Sequence, residues 1–169
     1  TTLAKVVMGI ITPTAGSVSL DGEDITPLSV TERAKRGISY AFQQPPRFKG
    51  ITVHDLMNIA AGKKLNKADC CKYLTKVGLC ATDYINREVD TSLSGGEIKR
   101  IEIATVFAKQ SKIMIFDEPE AGIDLWSFSK LTEAFREAHN NSDVTIIIIS
   151  HQERIISQAD EVILLSAGK

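Results

Sequence analysis

The chain has 169 residues, 43% hydrophobic and 24% charged, with a formal net charge of −1. That size supports one hydrophobic core, and the composition excludes a disordered chain. The near-neutral balance gives no general pull toward nucleic acid or anionic lipid, and no long Lys/Arg run supplies a local one.

In chain order, residues 3–8 read as a short helix closed by Gly9, with Pro13 preventing continuation. Residues 17–20 alternate like a strand and run into the turn Asp21-Gly22. Ser29 is placed to cap a helix through Lys35, which Gly37 ends; residues 38–42 then form a strand stopped by Pro45-Pro46. Thr52 caps a helix over 53–61, broken by residues 62–66. A second helix runs from about 67 to 77, with Cys70, Tyr73, Leu74 and Val77 at helical spacing. These helices predict a helical subdomain over about 50–95, inserted between strands. Helices are then expected over 98–108 and 125–139, and strands over 113–116, 144–149 and 161–165. Apolar strands without alternation, separated by helices, indicate α/β architecture with a mostly parallel sheet flanked by helices.

Three cysteines, Cys70, Cys71 and Cys80, lack metal-ligand spacing and fit thiols in a reducing cytoplasm. No apolar run reaches membrane-span length, and Thr1-Thr2-Leu3-Ala4-Lys5 lacks the features of a secretory signal. A cytoplasmic location is therefore expected. The absence of an initial Met, and an end just after a strand-like segment, suggest cuts within a longer protein.

Leu93-Ser94-Gly95-Gly96-Glu97 precedes a helix, and Ser94 can cap it while the glycines leave N–H groups open to phosphate. Alone, this sequence equally describes a capped helix after a tight turn. Downstream, the apolar strand 113–116 delivers Asp117-Glu118. Carboxylates at the carboxyl end of a buried parallel strand sit at the usual ligand crevice. Asp117 suits Mg²⁺ and Glu118 a general base toward water. An acidic pair can also simply end a strand at the surface, but four apolar residues leading into it oppose that. The strands ending at Phe42-Gln43 and Ser150-His151 bring Gln43 and His151 to the same edge. Gln43 could complete the shell of Mg²⁺ and water, and His151 could reach a γ-phosphate; neither is persuasive singly.

Gln43, Leu93 to Glu97, 113–118, Ala121-Gly122-Ile123-Asp124 and His151 together resemble the ordered motifs of ABC-type ATPases. They are similar to the Q-loop, signature, Walker B, D-loop and H-loop. The resemblance spans essentially the whole chain and implies a P-loop ATPase domain of the ABC type over 1–169. Its cofactors would be ATP and Mg²⁺. Glu118, His151 and Gln43 would be catalytic, and Thr1, Gln43 and Asp117 would hold the metal. Thr1-Thr2-Leu3 resembles the tail of a Walker A loop whose glycine-rich front lies upstream. The chain as given is accordingly expected to bind ATP poorly. Thr1 and Thr2 would serve this protomer's ATP. Ser94, Gly95 and Gly96 would serve a second protomer's ATP in a head-to-tail dimer, Asp124 would lie across the interface, and Glu97 and Asp124 are also expected among the ATP-binding residues.

Within the family, Glu32-Arg33-Ala34, Gly37-Ile38 and Tyr40-Ala41-Phe42-Gln43-Gln44-Pro45-Pro46 resemble SufC, the ATPase of iron–sulfur cluster assembly. So do 48–53 and His151-Gln152-Glu153-Arg154-Ile155. That likeness implies a soluble SufB/SufD-like scaffold as partner. Pro119 departs from the SufC pattern and is closer to transporter ATPases, whereas Glu120 adds an acid where transporters usually have a small polar residue. The alternative is therefore the ATP-binding subunit of a membrane transporter. Both readings place the partner on 48–56. A third reading, a nucleotide-dependent interaction module without hydrolysis, is opposed by the intact Asp117, Glu118 and His151.

Overall fold

The computed structural model describes residues 1–141 and 143–166. The amino-terminal part runs α1 (Thr2–Met8), β1 (Ser19–Leu20), β2 (Glu23–Asp24), α2 (Val30–Lys35) and β3 (Ile38–Ala41). The middle comprises β4 (Phe48–Thr52), α3 (Val53–Ala61), α4 (Lys67–Lys76), α5 (Ala81–Tyr84) and β5 (Glu88–Val89). Then follow α6 (Gly95–Lys109), β6 (Ile113–Asp117), α7 (Leu125–Asn141), β7 (Thr145–Ile149) and α8 (Glu153–Ile156).

Local chemistry sets several of the boundaries. Ser29 Oγ accepts the Glu32 N–H at 3.3 Å while Glu32 accepts the Ser29 N–H at 2.8 Å, so α2 starts on a reciprocal cap. Thr52 and Asp55 make the same arrangement at α3, and Asn66 Oδ1 accepts the Asp69 N–H at α4. Gly9, at φ 81°, closes α1 in the left-handed conformation that glycine adopts without a Cβ penalty.

The main sheet is parallel, in the order β3-β6-β7, with Ile38 opposite Ile113 and Asp117 opposite Ile149. Side chains of β6 alternate between two apolar clusters. Met114 and Phe116 enter the larger one with Ile101, Phe107 and Phe135, and Phe116 meets Phe135 edge-on at 4.8 Å between ring centroids. Ile115 enters the other with Ala4, Met8, Ile25 and Ile38. Both faces are thus covered, as a continuous apolar run requires.

The larger cluster extends through Val53, Met57, Leu74 and Val89, so the helices after β4 share a core with α6. The antiparallel pair β4–β5 escaped the sequence reading because Lys49-Gly50 interrupts the first strand and the second has two residues. The short α5 and α8, four residues each, carry too little periodicity to be recognised.

One expected element does not form. Residues 161–165 are not a strand, and Val162, Ile163, Leu164 and Leu165 are exposed, Leu164 by 86%. Among the described residues the sheet ends at β7, and no further ladder satisfies this segment's backbone groups. Apolar β-branched composition alone supplies no such partner.

Arg33 was not anticipated as structural. It is 1% exposed, and its guanidinium donates to the carbonyls of Val6, Val7 and Thr26 at 2.8 Å and of Leu28 at 3.1 Å. It therefore terminates α1 and anchors α2 and the preceding turn, with a cation where helix carbonyls converge. We expect Arg33→Met to lower the unfolding free energy by about 3 kcal/mol, because several buried carbonyls lose their donors. Urea denaturation followed by far-UV circular dichroism checks this.

Candidate functional site

The parallel order brings the carboxyl ends of β3, β6 and β7 to one edge, and four expected site residues meet there. Asp117, the last residue of the central strand, is fully buried. Its Oδ1 accepts from Thr1 Oγ1 at 2.9 Å, and its Oδ2 accepts from the Tyr40 hydroxyl at 2.7 Å. Burial, followed by the hydrogen bond to Asp117, pushes the Tyr40 phenol far above its ordinary range and keeps it a donor. Glu118 sits at φ 46°, a conformation unusual for a residue with a side chain. Its N–H donates to the Ile149 carbonyl at 2.9 Å, tying it to the end of β7. Gln43 Nε2 donates to Glu118 Oε2 at 2.8 Å, which leaves the Gln43 amide oxygen directed to other partners.

This donor set is one of hard oxygens: a hydroxyl, a carboxylate and an amide. Among the described residues no three His, Cys, Asp or Glu side chains form a metal cage. Mg²⁺ commonly binds through one or two carboxylates together with substrate phosphates, so Thr1 and Asp117 fit it, with Gln43 at the periphery. His151 lies just beyond β7 and is exposed, with no hydrogen bond to these residues. Thr2 is exposed at the start of α1.

The other expected group lies at the start of α6. Ser94 Oγ accepts the Glu97 N–H at 3.3 Å, and the Ser94 N–H donates to Glu97 Oε2 at 2.7 Å. The second Glu97 oxygen accepts from the Tyr84 hydroxyl and from Arg87 at 3.4 Å. Glu97 was expected among the nucleotide contacts, but its carboxylate is already occupied in shaping the turn around Ser94. Gly95 has open space where a side chain would begin. Gly96 does not: a Cβ there would lie 2.4 Å from the Gly122 carbonyl oxygen. The signature turn and the 121–124 loop therefore pack backbone on backbone. Asp124 accepts the N–H groups of Trp126 and Ser127, at 3.1 and 3.0 Å, and the Ser127 hydroxyl at 2.7 Å. It begins α7 as a cap while remaining exposed.

Sequence reading missed Tyr40, which looks like a core residue of an apolar strand. It also left Glu120 without a place. Glu120 Oε1 accepts from Ser150 Oγ at 2.6 Å, joining the loop after β6 to the residue after β7.

Comparison with known proteins gives the family and the fold. The protein-family description "ABC transporter" matches residues 1–121. An uncharacterised ABC transporter ATP-binding protein of Methanocaldococcus jannaschii is 36% identical over 176 residues, covering 99% of this chain and 70% of that protein. The spermidine/putrescine import ATP-binding protein PotA of Bacteroides thetaiotaomicron is 32% identical, covering 100% of this chain and 36% of the relative. Among solved structures, a bacterial Atm1-family ABC exporter with ATP bound superposes with TM-score 0.84 at 22% identity, covering 99% of this chain and 30% of that one. A dimeric ATP-binding cassette in a post-hydrolysis state, bound to ADP and Pi, gives 0.80 at 19%, covering 91% and 70%.

The parallel sheet and its acidic edge define a nucleotide-hydrolase fold of the P-loop class. The chain belongs to the ABC transporter family of ATP-binding proteins, which bind and hydrolyse ATP. It spans little more than a third of the PotA relative's length. The expected closeness to SufC finds no support in these relatives, which are named as transporter ATP-binding proteins. No helix among the described residues is long and apolar enough to cross a membrane.

The Ser94 hydrogen bonds, then that of Tyr84, hold Glu97 down at about 2, below its ordinary 4.5. A lowered carboxylate stabilises the fold above its unfolded pKa and loses that contribution as pH falls through the folded one. Glu97→Gln is thus expected to flatten the loss of thermal stability between about pH 4.5 and pH 2. Melting curves of parent and variant across that range provide the check.

Proposed function

We propose that this chain is the ATP-hydrolysing part of a membrane ABC transporter's ATP-binding subunit, acting at the cytoplasmic face. Residues 1–169 would form one ATP-binding unit with a helical subdomain over about 50–95. The observation that carries the reading is the pair of contacts at the strand edge, Thr1 to Asp117 and Gln43 to Glu118.

The chemistry follows from placement. Asp117 is buried and doubly hydrogen-bonded, so its carboxylate is held in one orientation, and with the Thr1 hydroxyl it would hold Mg²⁺. The ion, when bound, offsets the charge of the β- and γ-phosphates. Glu118 is half-buried and oriented by Gln43, and it would take the proton of the attacking water. His151 would approach the γ-phosphate once ATP is present. Ser94, Gly95 and Gly96 would face a second protomer's ATP in a head-to-tail pair, with Thr2 near this protomer's phosphates. Asp124 and Glu97 would shape that face rather than touch nucleotide.

A partner surface is available beside the site. Pro46, Phe48, Leu56, Val89 and Ile98 line an apolar cavity between β4, β5, α3 and α6. Phe48 and Leu56 belong to the 48–56 segment that the family resemblance assigns to partner contact. The importer names of the relatives favour a transporter's membrane subunit there. The SufC-like reading, with a SufB/SufD-like scaffold, rests on the short segments 32–34, 37–38, 40–46, 48–53 and 151–155.

Glu118→Gln in the complete protein is expected to cut ATP turnover by about 10²–10⁴-fold while retaining ATP and stabilising the dimer. Turnover at the parental rate would remove Glu118 as the base. In a pull-down from the native cells, a membrane protein partner is expected. A soluble β-rich scaffold instead would overturn the transporter reading in favour of the SufC-like one.

A further inference from the structure

Two charged residues of α6, three apart, would pass in the sequence for an ordinary surface pair. Both are buried. Lys99 is 1% exposed and the Glu102 side chain 11%. Lys99 Nζ donates to the Asp117 carbonyl at 3.0 Å and also to the Phe42 carbonyl. Glu102 Oε1 accepts the Phe42 N–H at 3.0 Å. Both polar main-chain groups of Phe42, just past β3, are therefore held by α6, as is the carbonyl at the end of β6. The two residues that follow, Gln43 and Glu118, are the pair joined at 2.8 Å in the site.

As an ion pair, this one is a weak source of stability. Glu102 Oε2 is buried without a hydrogen-bond partner, and the Lys99 ammonium is 4.0 Å from it. Burial pulls the Lys99 ammonium below its ordinary range and pushes the Glu102 carboxyl up to about 7. Well-packed apolar residues commonly replace buried ion pairs at no loss, or with a gain. What apolar residues cannot do is select one placement of three main-chain groups.

We propose that Lys99 and Glu102 are positioning residues for hydrolysis: by holding the peptide groups of Phe42 and Asp117 they fix Gln43 relative to Glu118. The proposal rests on the ATPase reading of that edge. Because Ser94–Gly96 begins the same helix, the pair also ties the turn assigned to one nucleotide to the base assigned to the other.

The test uses the complete protein assembled with its native partner. Lys99→Met/Glu102→Leu removes the pair without leaving a lone buried charge; because three main-chain groups lose their partners its melting temperature should fall, and kcat is compared at a temperature where circular dichroism shows parent and variant both folded. Its kcat is expected to fall about 10- to 100-fold, as for a small misplacement of catalytic groups. KM for ATP should remain within about threefold, because ground-state binding is not what the pair supplies. Glu102→Gln keeps an acceptor for the Phe42 N–H, and should hold kcat within about threefold of the parent, whereas Glu102→Leu should not. A folded double variant with parental kcat would overturn the proposal while leaving the ATPase reading intact. A parent with no turnover would overturn that reading, and the proposal with it.

Discussion

The position of β6 between β3 and β7 is the constraint on which the site depends. A parallel strand with two parallel neighbours ends where they end, so Asp117, Phe42 and Ile149 emerge together. The apolar side chains of β6 are divided between two clusters and leave the strand no freedom to slide. A one-residue slip would turn Phe116 and Ile115 to the wrong faces and withdraw Asp117 from Tyr40 and Thr1. Placement of the carboxylate is thus a by-product of packing several residues away.

The second organising element is α6, which is buried on several sides and packs against α3, α4 and β3. Its first turn is shaped by Ser94 and Glu97, and its second reaches the strand ends through Lys99 and Glu102. Helices from the middle of the chain share its apolar core, so the region after β4 is joined to the sheet through this helix and, by way of α4, through α7. The apolar cavity beside Pro46 and Phe48 borders both.

Much of this was legible in the sequence, for identifiable reasons. The caps at Ser29, Thr52 and Ser94 are local chemistry, and each marks a helix start. The apolar run 113–116 and the acids after it put Asp117 and Glu118 at the carboxyl edge. What stayed hidden depends on distant contacts. Arg33 and Lys99 look like solvated charges until the chain folds over them, and Tyr40 looks like core until its hydroxyl meets Asp117. Residues 161–165 show the opposite error, since their composition is that of a strand but among the described residues no strand pairs with them. The SufC likeness rested on short segments between 32 and 53 and on 151–155, whereas the identity spread along the whole chain is shared with transporter ATP-binding proteins.

The contact between Gly96 and Gly122 has a mechanical meaning. Loops that meet through side chains can absorb a shift by changing rotamers, because each torsion offers alternative wells. Here one main chain rests against another, with no torsion between them to yield. A push on the turn at Ser94 must move the 121–124 loop by a similar distance, and Asp124 carries that movement to the first turn of α7. The two loops work as a stiff coupling rather than a hinge, and stiffness of that sort is available only because Gly96 has no side chain to hold the main chains apart.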